Sequence, residues 1–445
     1  MLPEGLSAVE MREACRALKG RPLRQEIYAL DGSAEEPRPY VVAESSYGFR
    51  RLQPAVGRAH AVFFAHPRET LEYHYERNES DPRVTHALTL EVDNHGAVKR
   101  TAQIGYRRRA AWAEFPEQEQ GKATLTENDV VHQIPDQEGA YRIGVPIESL
   151  TYELHGLPLG SDGVLAFQDV LDAADEAADL AYDGTPSGGF EKRLLQHTRT
   201  RYWSDDLTGP LSFGEIGSRA LPYESYAKIL TPSLITSVFG ASVTSGVLAE
   251  GGYLQLSGDA DYWVSSGRAV PSAAHFYQPT AFVDPFGNTS QVVYDDPYRL
   301  LVTQVTDPLS NAVIAVPDYR VLAPRKLTDA NGNVSEVRFD ALGRVTLLAV
   351  MGKPGAGEGD TPEDPTVTFT YDLERFQSTG KPNVVHARAR EQHGAGNTRW
   401  LDTYTYSDGS GNEVLRKVNA EPGLAPERDG TGALVHDAQG DLVFS

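Results

Sequence analysis

Several groupings in the chain could do chemistry. Asp169, Asp172, Glu176 and Asp179 lie close enough for general acid–base work or for a divalent metal. Their spacing sets them on one side of a helix whose other side is apolar, which reads as a solvated face. Asp329-Ala-Asn331-Gly-Asn333 imitates the start of a calcium loop. An EF-hand then needs Gly at the sixth position and Glu at the twelfth, where Val334 and Asp340 stand. His60, His66, His74 and His86 cluster without a His-Glu-x-x-His pattern, and with one cysteine, Cys15, a thiolate zinc centre has too few ligands. They read as half-buried strand residues. Gly355–Gly359 is a glycine-rich loop with no Lys-Ser/Thr after it, so it does not read as a phosphate cradle. No Gly-x-Ser-x-Gly elbow occurs. Arg107, Arg108 and Arg109 follow a strand and read as a solvated basic edge that discourages strand pairing, or as a partner for an acidic neighbour. The expectation is a protein with no catalytic residue, no metal and no cofactor.

The elements that would hold these residues are mostly strands. Residues 1–20 read as a short helix, and 24–106 as strands, with Leu88, Leu90 and Val92 alternating with Thr89 and Glu91 up to a turn at Asp93-Asn-His-Gly96. The polar, acidic stretch 112–140 reads as an exposed connection. Residues 165–182 show the clearest helical spacing, through Phe167, Val170, Leu171, Ala174, Ala178 and Ala181. A second short helix is predicted at Tyr223–Leu230, after Pro222. From about 250 the chain is again β, interrupted by a loop without periodicity at 352–365. The domain expectation is therefore 1–160 mostly β, 161–250 a helix-containing insertion, and 251–445 a repeat-bearing β segment.

That last segment carries the strongest signal. Asp284-Pro-Phe-Gly-Asn288 returns as Asp307-Pro-Leu-Ser-Asn311 and as Asp329-Ala-Asn-Gly-Asn333. Tyr294-Asp295 returns as Phe339-Asp340. Asp and Asn fold back onto nearby backbone N–H groups, and Gly and Asn tolerate positive φ, so each copy should close a hairpin. Turn roles are expected for Asp284, Gly287, Asn288, Asp307, Asn311, Asp329, Gly332, Asn333 and Gly343. Packing anchors are expected at Tyr294, Phe339, Phe369 and Tyr371. A hairpin cannot bury its apolar face alone, so repeats at this spacing imply stacking.

Asp329-Ala-Asn-Gly-Asn-Val-Ser-Glu-Val-Arg-Phe-Asp-Ala-Leu-Gly-Arg344 resembles the Rhs, or YD-repeat, consensus. A narrower resemblance covers most of the chain. Arg16–Gly32, Tyr73–Arg83, Tyr262–Arg268, Asp284–Asn288, Asp318–Leu322 and Val350–Lys353 follow, in order, the middle and later portions of the B component of bacterial Tc (insecticidal) toxin complexes. The resemblance implies a mainly β fold of stacked hairpins forming an Rhs-type shell, with one or two short helical insertions. It implies a structural role in virulence: B and C components enclose an unfolded toxic effector, which leaves through a channel-forming A component. The partners implied are an Rhs-repeat C component carrying the effector and the A component, reached through a β-propeller for which no segment is seen here. The family's self-cleaving protease belongs to the C component and has no counterpart. Glu117-Gln-Glu119 resembles the paired glutamates of ADP-ribosyltransferases, with nothing else of that fold around it.

Bulk properties agree. A formal charge of −21 argues against a nucleic-acid groove and for solubility. A single cysteine fits folding in a reducing bacterial cytoplasm before secretion. The N-terminus lacks a basic and apolar leader, and the charge-poor stretch 231–249 has too scattered an apolar content to span a membrane, so no membrane contact is expected. The abrupt first helix and the strand-like Leu442-Val-Phe444 at the end point to a segment of a longer parent. Two rivals remain at this level: an extracellular carbohydrate- or protein-binding Rhs module without cargo, and a gene fragment without function. A glycoside hydrolase would need two facing carboxylates, and no such pair is evident.

Overall fold

The computed structural model describes residues 4–57, 59–133, 140–160, 163–396, 398–420 and 423–445. The expectations for Met1 to Pro3, and for 134–139 within the predicted connection, lie outside them. The chain divides into two units, 1–271 with 282–288, and 272–281 with 289–445.

The first unit opens with helix α1 (Ala8–Arg16), started by a capping box in which the Ser7 hydroxyl accepts from Glu10 N and the Glu10 carboxylate accepts from Ser7 N. An antiparallel sheet follows: β1 (Arg24–Ile27), β2 (Val41–Gln53), β3 (Val62–His74), β4 (Arg83–Val92), β5 (Val98–Gly105), β6 (Lys122–Gln133) and β7 (Arg142–His155). Helix α2 (Phe167–Glu176) and the short β8 (Ala178–Leu180) precede β9 (Glu191–Tyr202), β10 (Pro222–Leu230), helices α3 (Pro232–Phe239) and α4 (Ser245–Glu250), β11 (Tyr253–Leu254) and β12 (Tyr262–Ser265). Strands β1 to β7 pair in chain order, then β9, β10, β12 and β11, while β8 lies parallel beside β9. Period-two alternation puts Leu88, Leu90, Ala102, Ile104, Ala123, Leu125, Tyr152 and Leu154 on one face, and α2 closes that face with Val170 and Ala174. This is the main core of the unit.

Three sequence expectations are corrected here. The stretch predicted as an exposed connection contains β6, an interior strand paired with β5 and β7. Ala123 and Leu125 face the core, and Glu127 and Asp129 continue the same alternation beyond its edge, so two buried side chains decide the assignment. The helix predicted at Tyr223–Leu230 is strand β10, laddered to β9 and β12 with Tyr226 buried. The helix comes after it, where the Thr231 hydroxyl accepts from Leu234 N and Pro232 occupies the first turn. Finally, α2 stops at Glu176, because Ala178–Leu180 takes a place on the sheet, where Ala178 N donates to Phe190 O at 3.0 Å.

Past β13 (Arg268–Pro271) and β14 (Pro279–Val283), the second unit is a meander. Its strands are β15 (Thr289–Tyr294), β16 (Val302–Thr306), β17 (Ala312–Asp318), β18 (Ala323–Thr328), β19 (Val334–Phe339), β20 (Val345–Met351), β21 (Val367–Asp372), β22 (Asn383–Arg390), β23 (Trp400–Ser407) and β24 (Glu413–Val418). Each pairs antiparallel with the next. A single-turn helix, α5 (Arg375–Thr379), joins β21 to β22. No helix among the described residues is long and apolar enough to cross a membrane.

Candidate functional site

The repeat turns share one geometry. In the copies at Asp284, Asp307 and Asp329, carboxylate Oδ1 accepts from the backbone N–H two and four residues on, at 2.8–2.9 Å. The Asn at the fifth position returns its side-chain N–H to Oδ2, at 2.8–2.9 Å. The fourth residue has positive φ, as in Gly287 and Gly332, and Ser310 adopts it at 69° without being glycine. These hydrogen bonds hold the aspartates below the ordinary carboxylate range, the Asn amide being the largest cause at each. They therefore stay ionised as acceptors at neutral pH.

The same staple recurs at Asp340, where Arg344 replaces Asn and its Nε reaches Oδ2 at 2.7 Å, with Gly343 at φ 80°. The full staple recurs at Asp408 with Asn412, and its two backbone hydrogen bonds to Oδ1 recur at Asp437 and at Asp93. Asp429 is a copy that sequence reading passed over, although its Asp-Gly-Thr-Gly432 is the signal that would have found it. Asp295 works over a longer turn, accepting from Leu300 N and Leu301 N and from the Tyr319 hydroxyl. The four aromatic positions are half-buried. Tyr294 and Tyr371 donate their hydroxyls to Pro279 O and Val345 O, both at 2.9 Å, and Phe369 lies opposite Ala387.

Register then sorts the second unit's sheet into two unlike faces. On one, Val305 is opposite Val313, Ala315 opposite Leu327, Leu327 opposite Ser335, and Ser335 opposite Val350. Further along the same face, Val337, Leu348, Val367, Ala389 and Leu401 form one cross-strand row. The other face carries Lys326 opposite Glu336, and His386 opposite Tyr404 with their rings stacked at 4.2 Å. Apolar side chains on the first face remain open, with Val305, Val313, Leu327 and Val350 each 40–45% exposed. A groove of about 560 Å³ lies there, floored by Val313, Leu327 and Val350 and walled by Glu358 and His393.

The loop that walls the groove is tied to β22 by a buried ion cluster. Asp360 accepts from Arg390 Nη1 at 2.9 Å, from Gly394 N at 2.9 Å, from Thr366 Oγ1 at 2.7 Å, and contacts His393 Nδ1 at 2.6 Å. Arg390 also pairs with Asp364. Burial alone would raise the Asp360 pKa, but these contacts outweigh it and hold the group at about 2. Nothing in the local sequence of 352–365 announces this cluster, because Arg390 is remote in the chain.

The other candidate groupings are not assembled. Asp169, Asp172 and Glu176 are exposed on α2, and Asp179 sits on β8. His66 and His74 are half-buried on β3, His86 is buried, and His60 is exposed in a loop. Arg108 and Arg109 do not form a free basic edge: Arg108 Nε reaches the buried Asp81 at 2.8 Å, and Arg109 N donates to the same carboxylate. Glu117 and Glu119 lie exposed on a 3-10 turn. Among the described residues, no group of three or more His, Cys, Asp or Glu is arranged to hold a metal.

Residues 13–145 match the family described as the insecticide toxin TcdB middle/C-terminal region. No curated protein matches the chain. The fold is similar to solved structures. TcdB2-TccC3 aligns over 100% of this chain at 23% identity and a TM-score of 0.74. The Photorhabdus luminescens Tc holotoxin pore carrying TccC3-D651A aligns over 100% at 20% identity and a TM-score of 0.72. The chain spans 24% of the length of each of these matched chains. The family match over residues 13–145 and the fold shared over the whole chain converge: the chain is similar to the middle and C-terminal region of the Tc toxin B component.

Proposed function

We propose that the chain is a wall segment of a Tc-type toxin shell that sequesters an unfolded toxic polypeptide. The observation that carries this reading is the open apolar face of the second unit's sheet. A monomeric soluble protein rarely leaves such a face uncovered, and an unfolded chain has scattered apolar side chains to offer it. The stapled turns keep the face extended without a closed core behind it. Its groove beside Val313, Leu327 and Val350 suits single side chains rather than a folded surface. The proposed partners are an Rhs-repeat C component that brings the effector and a channel-forming A component. The role needs no catalytic residue and no cofactor, and the repeat turns and the aromatic anchors at Tyr294, Phe339, Phe369 and Tyr371 serve the wall alone. The proposed route is folding in the bacterial cytoplasm and release as part of the complex.

Co-expression with the adjacent Rhs-type partner, followed by limited proteolysis, tests this. Protection of the partner's C-terminal region only when this chain is present supports the wall role. Equal digestion with and without the chain rejects it.

A further inference from the structure

The sheet of the first unit splits between β3 and β4, a feature independent of the shell reading. Their ladder ends at Glu69 opposite Leu88, although β3 begins at Val62 and β4 runs on to Val92. Bulges flank that point: β2 and β3 slip register between Ser46 and Tyr47, and β4 and β5 slip between Thr89 and Val92. A bulge bends its strand and sharpens the local twist, so the two strands part. The cleft left between them holds about 370 Å³. Phe49, Phe64, Leu90 and, from the start of α2, Phe167 line it. The His66 ring stacks on Phe64, and glycine at 48 makes room for it, since a Cβ there would lie 2.5 Å from Nε2.

The polar wall is basic. Arg50, His66 and Arg68 line the cleft, and none of the described residues lining it is acidic, in a chain of formal charge −21. Both guanidiniums lie on rings of the same cleft. Arg68 Cζ is 3.9 Å from the centre of the Phe167 ring, and Arg50 Cζ is 5.4 Å from that of Phe64. Arg50 spans the split, donating to Asp93 O at 2.9 Å, Asn94 O at 2.7 Å and Asn94 Oδ1 at 3.2 Å. These acceptors are neutral. Arg68 makes no hydrogen bond among the described residues, and its one carboxylate neighbour there, Glu69, is 3.8 Å away. Glu69 is itself engaged by the Ser46 hydroxyl at 3.0 Å and lies 3.7 Å from His86 Nε2. The Arg68 side chain is 22% exposed, so its donors are open to water and to an entering ligand.

We propose that this cleft binds a small aromatic carboxylate, its ring among Phe49, Phe64 and Phe167 and its carboxylate on the Arg68 guanidinium, with Arg50 adding positive charge. A guanidinium fork meets a carboxylate through two parallel hydrogen bonds, a pairing that Glu69 at 3.8 Å does not supply. The volume suits one or two fused rings, and the phenylalanines offer faces and edges for them.

The test uses the full chain with 2-naphthoate, 2-naphthamide and acetate, read by saturation-transfer NMR. The amide keeps the rings without the charge, and acetate keeps the charge without the rings. The expected result is saturable binding of 2-naphthoate at least ~10-fold tighter than either control, because the site pairs a charged donor with an aromatic wall. Arg68→Gln should remove the preference for the carboxylate over the amide while the amide still binds. The three-ligand comparison on the unaltered chain stands even if that variant folds poorly. Equal binding of 2-naphthoate and either control, a preference retained in a folded Arg68→Gln protein, or no saturation at millimolar 2-naphthoate overturns the proposal. In the last case solvent alone fills the cleft.

Discussion

The two units build the same kind of antiparallel sheet and stabilise it differently. In the first, α2 closes one face over a continuous cluster from Leu88 to Leu154, with several residues fully excluded from water. In the second, the buried aliphatic residues are only Val334, Ala349 and Val384 among those described, and apolar side chains lie half-open across many strands. The first unit rests on hydrophobic burial. The second rests on turn staples, ladder hydrogen bonds and one buried ion cluster. A sheet that leaves one face open cannot also bury that face in its own core, so local devices do what packing does elsewhere.

The contrast can be broken by mutation, and the largest effect is expected at the ion cluster. Arg390→Met should cost ~3–5 kcal/mol, since it leaves the buried Asp360 without its guanidinium partner. Adding Asp360→Asn should recover much of that loss in a double-mutant cycle of urea unfolding. An additive cycle would mean the pair does not act as one. Core truncation comes next. Leu125→Ala should cost ~2–5 kcal/mol, whereas Leu327→Ala on the open face should cost under ~1 kcal/mol, because little area leaves water there. Equal costs by calorimetry would erase the distinction between the units.

Acid should act on the second unit through its carboxylates. Asp360 is held at about 2 in the folded chain, below its unfolded value of ~3.9. Its contribution is therefore present above ~3.9 and lost as pH falls through about 2, and Asp307 and Asp329 shift in the same direction. Hydrogen exchange of 289–445 should show protection declining over that window. Unchanged protection would remove the carboxylates from the account.

Smaller effects test single turns. Asp329→Ala removes the acceptor of three hydrogen bonds and should lower the thermal midpoint measurably, while Asp179→Ala should leave it unchanged. Ser310→Gly should stabilise by ~0.5–1 kcal/mol, since Ser310 holds φ of 69° where glycine is unstrained. A destabilised Ser310→Gly protein, measured by thermal melting, would show that its hydroxyl matters more than its backbone.

What the sequence determined by itself is local. Asp, Gly and Asn at fixed offsets close a turn within five residues, so Asp284–Asn288, Asp307–Asn311 and Asp329–Asn333 could be read directly, as could the alternation of Leu88 and Leu90 and the core face of α2. The tertiary structure decided what depends on remote partners. Lys122–Gln133 is a strand because β5 and β7 flank it, and Pro222–Leu230 is a strand because β9 and β12 do. Asp360 meets Arg390, and His197 meets Glu148 and Trp263, across separations that no local pattern encodes. Turn propensity is settled by neighbours in sequence, whereas burial and ion pairing are settled by neighbours in space.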